Sequence, residues 1–260
     1  MAIMKLNNKR ILITRPDQQA DHLSSLITNY GGISVKFPTV EIQSLSRTNE
    51  MTECFNRIGR YDFIIFISRS AAKIAIEQFV KNIDLIKHIQ LVAIGPSTAK
   101  ELSSYNLKNI IFPRGNDADT EGLLNLEEMQ SDNVSDKNIL IIRGIGGREL
   151  LAKSLKERGA IVDYIEIYER KLPVYEEHEI NKIWHDNNPD AVVVTSNEVL
   201  NNLIVLLNNN TKKLLTIPLV TMSERIAEYA REKGFVSTIS VVREKSDDGI
   251  LTSLLELFED

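Results

Sequence analysis

Moved along by 128 positions, the chain falls on itself. Lys9-Arg10-Ile11-Leu12-Ile13-Thr14-Arg15 lies over Lys137-Asn138-Ile139-Leu140-Ile141-Ile142-Arg143 without a gap, and five of the seven positions are identical. The same shift pairs Gly31 with Gly159, Asp62 with Asp190, Ser68 with Ser196, Leu91-Val92 with Leu219-Val220, Ala99 with Ala227 and Asp119 with Asp247. A unit of this length is domain-sized, far beyond the roughly 20–50 residues of a solenoid repeat. Two similar lobes on one chain are expected to leave a cleft between them, and clefts are where small molecules bind.

With 260 residues the chain can supply two cores, each in the usual range of roughly 100–150 residues. A net charge of -5 and a pI near 5.6 argue against a general nucleic-acid binder, which would show a basic face. They leave room for an anionic ligand, because backbone N–H groups and a few arginines can hold one inside an acidic protein. Cys54 is the one cysteine, so no intrachain disulfide is expected and a reducing cytoplasm fits. Met1-Ala2-Ile3-Met4-Lys5 opens no apolar stretch of signal-peptide length, and no run is long enough to span a membrane. His22, His88, His178 and His185 are scattered, so no metal site is expected.

Each copy reads as strand, helix, strand, then further strand–helix pairs. Residues 10–14 predict a strand, a turn follows at Arg15-Pro16-Asp17, and Leu23, Leu26 and Ile27 mark a helix that stops at Gly31-Gly32. A second strand covers 33–37. The partner copy predicts a strand over 139–142, a glycine-rich turn, a helix over 150–158, and a strand over 161–168 ending at Tyr168. Phe63-Ile64-Ile65-Phe66-Ile67 and Ala191-Val192-Val193-Val194 are continuous apolar runs, the mark of parallel strands covered on both faces. Helices are expected over 71–80 and 199–207, strands over 91–94 and 219–222, and helices again over 98–104 and 225–233. This alternation predicts doubly wound α/β lobes. Polar stretches over 39–49 and 169–179 read as linkers, or else as surface loops of one large sheet.

Ligands of open α/β sheets sit beyond the carboxyl ends of the strands. The residues there are Arg15, Ser68-Arg69-Ser70, Gly95-Pro96-Ser97-Thr98, Arg143-Gly144-Ile145-Gly146-Gly147-Arg148, Thr195-Ser196-Asn197 and Ser223-Glu224-Arg225. Hydroxyls, glycines and arginines dominate, a donor-rich set suited to carboxylates or phosphates. Ser68, Ser97, Thr98, Ser196 and Ser223 also fit plain helix capping. Arg15 and Arg143 also fit pairing with local acids, although their recurrence in both copies favours a functional role. The glycine turn fails the dinucleotide spacing, since Glu149 occupies the third glycine's place and would face a pyrophosphate. No P-loop, no G-x-S-x-G and no Cys/His couple is present. Tyr168 offers a phenol, a weak acid that is useful as a positioned donor; packing against the linker is the plainer alternative.

In order and spacing, several pieces resemble the uroporphyrinogen-III synthase family over almost the whole chain. They are Ile11-Leu12-Ile13-Thr14-Arg15-Pro16, Phe63-Ile64-Ile65-Phe66-Ile67-Ser68, Ala93-Ile94-Gly95-Pro96-Ser97-Thr98-Ala99 and Asp119-Thr120-Glu121-Gly122-Leu123-Leu124. Arg143-Gly144-x-Gly146-Gly147-Arg148, Tyr168-x-Arg170 and Val194-Thr195-Ser196-Asn197 complete the set. The resemblance implies a cofactor-free, metal-free, cytoplasmic lyase of tetrapyrrole synthesis that acts on hydroxymethylbilane. Loss of the substrate's hydroxyl would give an azafulvene cation, closure through a spiro intermediate would follow, and the last pyrrole ring would be inverted. It also implies an α/β fold of two doubly wound, flavodoxin-like parallel-sheet lobes, joined by a two-stranded linker with a cleft between them. The lobes would be 1–37 plus 172–260, and 41–167, with linkers at 38–40 and 168–171.

On that reading Tyr168 assists hydroxyl departure, in keeping with the family's tyrosine. Arg15, Ser68, Ser97, Thr98, Arg143, Gly144, Gly147, Arg148, Thr195, Ser196, Asn197 and Ser223 hold the substrate's eight carboxylates. Arg69 and Glu198 depart from the family pattern, and Arg69 adds a cation for a carboxylate arm. A monomer is expected, with transient contact to the enzyme that makes the substrate, and with neither nucleic acid nor membrane as partner. Two rivals remain: a non-catalytic two-lobed binder of small anions, and a tandem of receiver-like domains. The first lacks a signal peptide or helix-turn-helix arm. The second needs acids after the first strand, where Arg15 and Arg143 stand.

Overall fold

A computed structural model describes residues 6–80, 83–114, 119–147, 149–186 and 188–259. The chain divides into two compact units, one of Met1–Glu41 with Lys171–Asp260 and the other of Ile42–Arg170. Each unit is built on one five-stranded sheet.

The first unit uses β1 (Arg10–Ile13), β2 (Ile33–Lys36), β8 (Ala191–Val194), β9 (Leu219–Thr221) and β10 (Ile239–Val241), in the order β10-β9-β8-β1-β2. All four pairings are parallel. The second unit uses β3 (Glu41–Ser44), β4 (Phe63–Phe66), β5 (Gln90–Ala93), β6 (Asn138–Gly144) and β7 (Ile161–Lys171), in the order β3-β7-β6-β4-β5. Pairings β7-β6, β6-β4 and β4-β5 are parallel.

Parallel strands demand cover on both faces, and the side chains alternate accordingly. In the second sheet Ile64, Phe66, Leu140 and Ile142 join one core with Phe55, Ala72 and Leu102. Ile65, Ile139, Ile141 and Val92 join the opposite core with Leu123, Leu151 and Leu155. In the first sheet Ile11, Ile13, Val193 and Val220 pack against Leu23, Ile27, Ile250 and Leu254.

The shift found in the sequence also governs pairing. Ile11 faces Ser34 and Ala191, while Ile139 faces Val162 and Phe63; Val193 faces Val220, while Ile65 faces Val92. Every one of these partners is displaced by the same 128 positions. The repeated polar residues explain how. Asp190 accepts the Arg10 N–H at 2.8 Å and pairs with Lys9 at 3.1 Å, holding the start of β1 against β8. Asp62 does the same for β6, accepting the Asn138 N–H at 2.8 Å and pairing with Lys137 at 3.4 Å. Gly31 and Gly159 close their helices at φ 77° and 89°, and their carbonyls accept from Asn8 and Asp136. A positive φ is the reason for glycine at both places.

Three elements differ from their sequence forecast. The helix expected over 71–80 spans Arg69–Ile74 and widens into a π-helical turn, closed by Val80 N–H donating to the Ala75 carbonyl at 2.9 Å. The stretch over 39–49 is not a plain linker: it holds β3 and the first residue of the helix Asn49–Asn56. Thr39 within it is fully buried, its hydroxyl bonded to the Thr14 and Val199 carbonyls. Tyr168 lies inside β7 rather than at its end, because β3 neighbours β7 after β6 has stopped at Gly144.

Candidate functional site

The carboxyl ends of β6 and β7 enclose a cavity of about 340 Å³ in the second unit. Ile67, Ile94, Ile141, Leu151 and Ala152 give it apolar walls, while Thr120, Arg143, Tyr168, Arg170 and the Gly144–Gly147 turn supply its polar edge. Tyr168 is 2% exposed, and its Oη lies 2.9 Å from Ser68 Oγ. The ring fits only because residue 144 is glycine. A Cβ there would lie 2.5 Å from Tyr168 Cε2 and 2.6 Å from Cζ. Gly147 makes similar room for Arg143, whose Cδ would be 2.9 Å from an added Cβ.

Arg143 is buried, and its partners are local. Nη2 reaches Glu149 Oε1 at 2.7 Å and Glu166 Oε1 at 3.2 Å, and Nη1 donates to the Gly147 carbonyl at 3.2 Å. The guanidinium also lies 4.0 Å from the centroid of Tyr164, a cation–π contact. This arginine shapes the cavity wall with both Nη groups engaged, while its Nε is buried without a protein partner. Glu149, read from the sequence as a threat to a bound pyrophosphate, is instead Arg143's partner.

In the first unit Arg15 follows β1, Thr195-Ser196-Asn197 follow β8, and Ser223 follows β9. Arg15 Nη1 bonds Asp247 Oδ1 at 2.7 Å, and His22 Nδ1 meets the other oxygen at 2.8 Å. Burial raises the Asp247 carboxyl, but Arg15 and then His22 more than offset this, leaving it below the usual carboxylate range. Nε and Nη2 of Arg15 and Oδ1 of Asn197 are buried without a protein partner. Such groups are expensive to leave unmet, so they favour a ligand or water at this end of the sheet.

The serines divide. Ser68 and Ser196 cap their helices, accepting from Ala71 N at 2.9 Å and Val199 N at 3.1 Å. Ser223 precedes its helix but makes no capping bond. Ser97 and Thr98 are not caps, since Gly95 takes that place with Pro96 opening the helix; Thr98 is buried and Ser97 exposed. Arg69 pairs with Glu101 at 2.8 Å. Arg148 lies outside the described residues.

The cavity therefore gathers Arg143, Gly144, Ile145, Gly147 and Tyr168, with Ser68 at its phenol, whereas sequence reasoning misses Thr120 and Tyr164 as part of its lining. Tyr164 and Tyr168 share β7, but a register shift between their pairings with β6 breaks the strand's alternation, so spacing alone does not bring them to one cavity. In a second hollow of about 400 Å³, Arg60, Tyr61 and Asp163 are bonded to one another. Cys54 lies there 3.5 Å from Tyr61 Oη, and burial pushes its thiol up, making it a poor nucleophile. Among the described residues no cluster of three metal-ligating side chains occurs, and no helix is long and apolar enough to cross a membrane.

A family model described as uroporphyrinogen-III synthase HemD matches residues 21–250. The uroporphyrinogen-III synthase of Escherichia coli K12 is 32% identical over 247 residues, covering 94% of this chain and 99% of the relative. That of Salmonella typhimurium LT2 matches at the same identity and coverage. Among solved structures, uroporphyrinogen-III synthetase from Helicobacter pylori 26695 aligns with a TM-score of 0.64 at 18% identity, over 96% of this chain and 99% of the other. A mutant uroporphyrinogen III synthase from the extremely thermophilic bacterium Thermus thermophilus aligns at 0.53 and 15% identity, over 96% and 97%. These last two speak for the fold alone.

Proposed function

The chain belongs to the uroporphyrinogen-III synthase family, and from that premise we propose that it closes hydroxymethylbilane to uroporphyrinogen III, with loss of water and inversion of the last ring. It is a cyclising hydro-lyase of porphyrin synthesis. The observation that carries the site is Tyr168 on the wall of an apolar cavity with a donor-rich edge. Flat pyrrole faces suit walls of isoleucine and leucine, and carboxylate arms suit the Thr120 hydroxyl and the backbone N–H groups of the glycine turn at the rim.

Eight carboxylates need more donors than one strand-tip row supplies. The unpartnered Arg15 and Asn197 atoms support a binding role for the carboxyl end of the first unit's sheet, where Thr195 and Ser196 precede Asn197 and Ser223 follows the neighbouring strand β9. Ser97, Thr98 and Arg148 complete the proposed binding set in the second unit. Tyr168 would protonate the departing hydroxyl, and most of the acceleration would come from holding a flexible chain where spiro closure is in reach.

The common strand register supports reading the two units as copies of one sheet. In chain order the first unit's strands run 2-1-3-4-5 across the sheet, the flavodoxin-like order. The lobe limits of 1–37 with 172–260 and 41–167, a cytoplasmic setting and a monomer belong to the same proposal. The test supplies freshly made hydroxymethylbilane and separates the oxidised products by chromatography. Type III isomer is the expected product; type I alone, at the rate of spontaneous closure, would sink the proposal.

A further inference from the structure

Ser68 and Ser196 are related by the repeat and cap their helices alike, yet only Ser68 touches a phenol. The position matching Tyr168 in the first unit is Val40. Capping therefore does not require the serine–tyrosine contact, and that contact calls for its own account.

Counting protons supplies one. Ser68 Oγ accepts the Ala71 N–H at 2.9 Å, which leaves it one hydroxyl proton and one lone pair. Its other contact is Tyr168 Oη, also at 2.9 Å. If the tyrosine spent its proton on Ser68, nothing would remain for a ligand in the cavity. If Ser68 donates, the phenol proton is free, and the N–H bond onto Oγ strengthens Ser68 as a donor.

We infer that Ser68 is a positioning residue for the proton transfer, giving its hydroxyl hydrogen to Tyr168 Oη so that the phenol proton faces the cavity and the phenolate is stabilised as it forms. This rests on the reading of Tyr168 as the proton donor. The C–O bond of the hydroxymethyl group breaks with its electron pair going to oxygen. The Tyr168 proton joins that oxygen, water leaves, and phenolate and azafulvene cation remain. When the closing pyrrole regains aromaticity it sheds a proton, which returns to the phenolate. Ser68 keeps its own proton throughout, and its donor is worth most while Oη is anionic.

The experiment measures kcat and KM for Tyr168→Phe, Ser68→Ala, Ser68→Thr, Ser68→Asp and the double variant Ser68→Ala/Tyr168→Phe. The backbone at Ser68 is extended, φ -163° and ψ 159°, which a β-branched residue accepts. Ser68→Ala should lower kcat by about 10²-fold with KM little changed, and threonine should restore most of that loss. Aspartate can still cap but offers no proton at neutral pH, so it should be as slow as alanine while remaining folded. On a Tyr168→Phe background, Ser68→Ala should cost less than about twofold more, since the phenol it serves is gone. Full activity of Tyr168→Phe would remove the tyrosine reading itself. A slow Tyr168→Phe whose loss multiplies with that of Ser68→Ala, or a fast Ser68→Asp, would overturn the role of Ser68 alone.

Discussion

Asp62 and Asp190 hold neighbouring strands by the same contacts, but Arg15 and Arg143, related by the same shift, have parted company. Arg143 sits between two glutamates, a carbonyl and an aromatic face. Arg15 has one carboxylate, brought from a helix more than two hundred residues along the chain, and two nitrogens with no protein partner. The contrast separates two kinds of repeated residue. Those at the amino ends of strands fix pairing and have stayed alike, because any change there would unseat a strand. At the carboxyl ends the capping serines have stayed alike, but the arginines have diverged: Arg143 commits both Nη groups to the cavity wall and leaves only Nε unpartnered, whereas Arg15 leaves both Nε and Nη2.

The sharpest blow to this contrast would come from the phenol at 168, whose counterpart in the first unit is Val40. Tyr168→Phe should lower kcat by roughly 10²- to 10⁴-fold while melting within a degree or two of the parent; steady-state turnover and calorimetry check it. Next, Gly144→Ala should cost about 1–3 kcal/mol by overpacking against the Tyr168 ring, and kcat should fall with it. Denaturant midpoints that do not move would show that the ring gives way freely.

The arginines should then split. Arg143→Ala should lose about 2 kcal/mol of stability, discounted because Glu149 is largely exposed. Arg15→Ala should lose less stability but raise KM about tenfold. Equal effects on both quantities would erase the distinction drawn here. The caps should not split: Ser68→Ala and Ser196→Ala should each cost about 1 kcal/mol in urea unfolding.

The smallest effect concerns acid. Because the Asp247 carboxyl is held below its ordinary range in the fold, it binds its proton less readily there than in the unfolded chain. Its stabilisation is therefore complete above about pH 4 and drains away as pH falls through the depressed folded value. Asp247→Asn should be weaker than the parent at pH 7, with the gap closing toward pH 3. A gap that stays constant would mean that Asp247 acts by shape and not by charge.

How much of this is readable beforehand depends on what each residue answers to. Ile64-Ile65-Phe66 and Val192-Val193-Val194 answer to burial on two faces, a demand local enough to be written in consecutive letters. The glycines at 31 and 159 answer to backbone sign, also local. Arg143 answers to Glu166 across a strand pair and to Glu149 around a turn, and no spacing rule announces that a donor has already been taken. The strand-tip rule finds the neighbourhood of the cavity but cannot tell a wall from a grip. Tyr168 reads in sequence as a strand terminus because the contribution of β3 lies in a polar stretch with little apolar signal of its own.

The pairing of Ile11 with Ala191 has a consequence for how the protein is born. Synthesis proceeds from the amino terminus, so β1 and β2 leave the ribosome long before β8 exists to lie beside them. Residues 42–170, by contrast, emerge as an unbroken block holding nearly all of their own sheet. The inserted half can thus mature while its host is still half made, and the host's closing step is a long-range one, intrinsically slow. A chain that ended near residue 180 would hold every strand of one sheet and only β1 and β2 of the other.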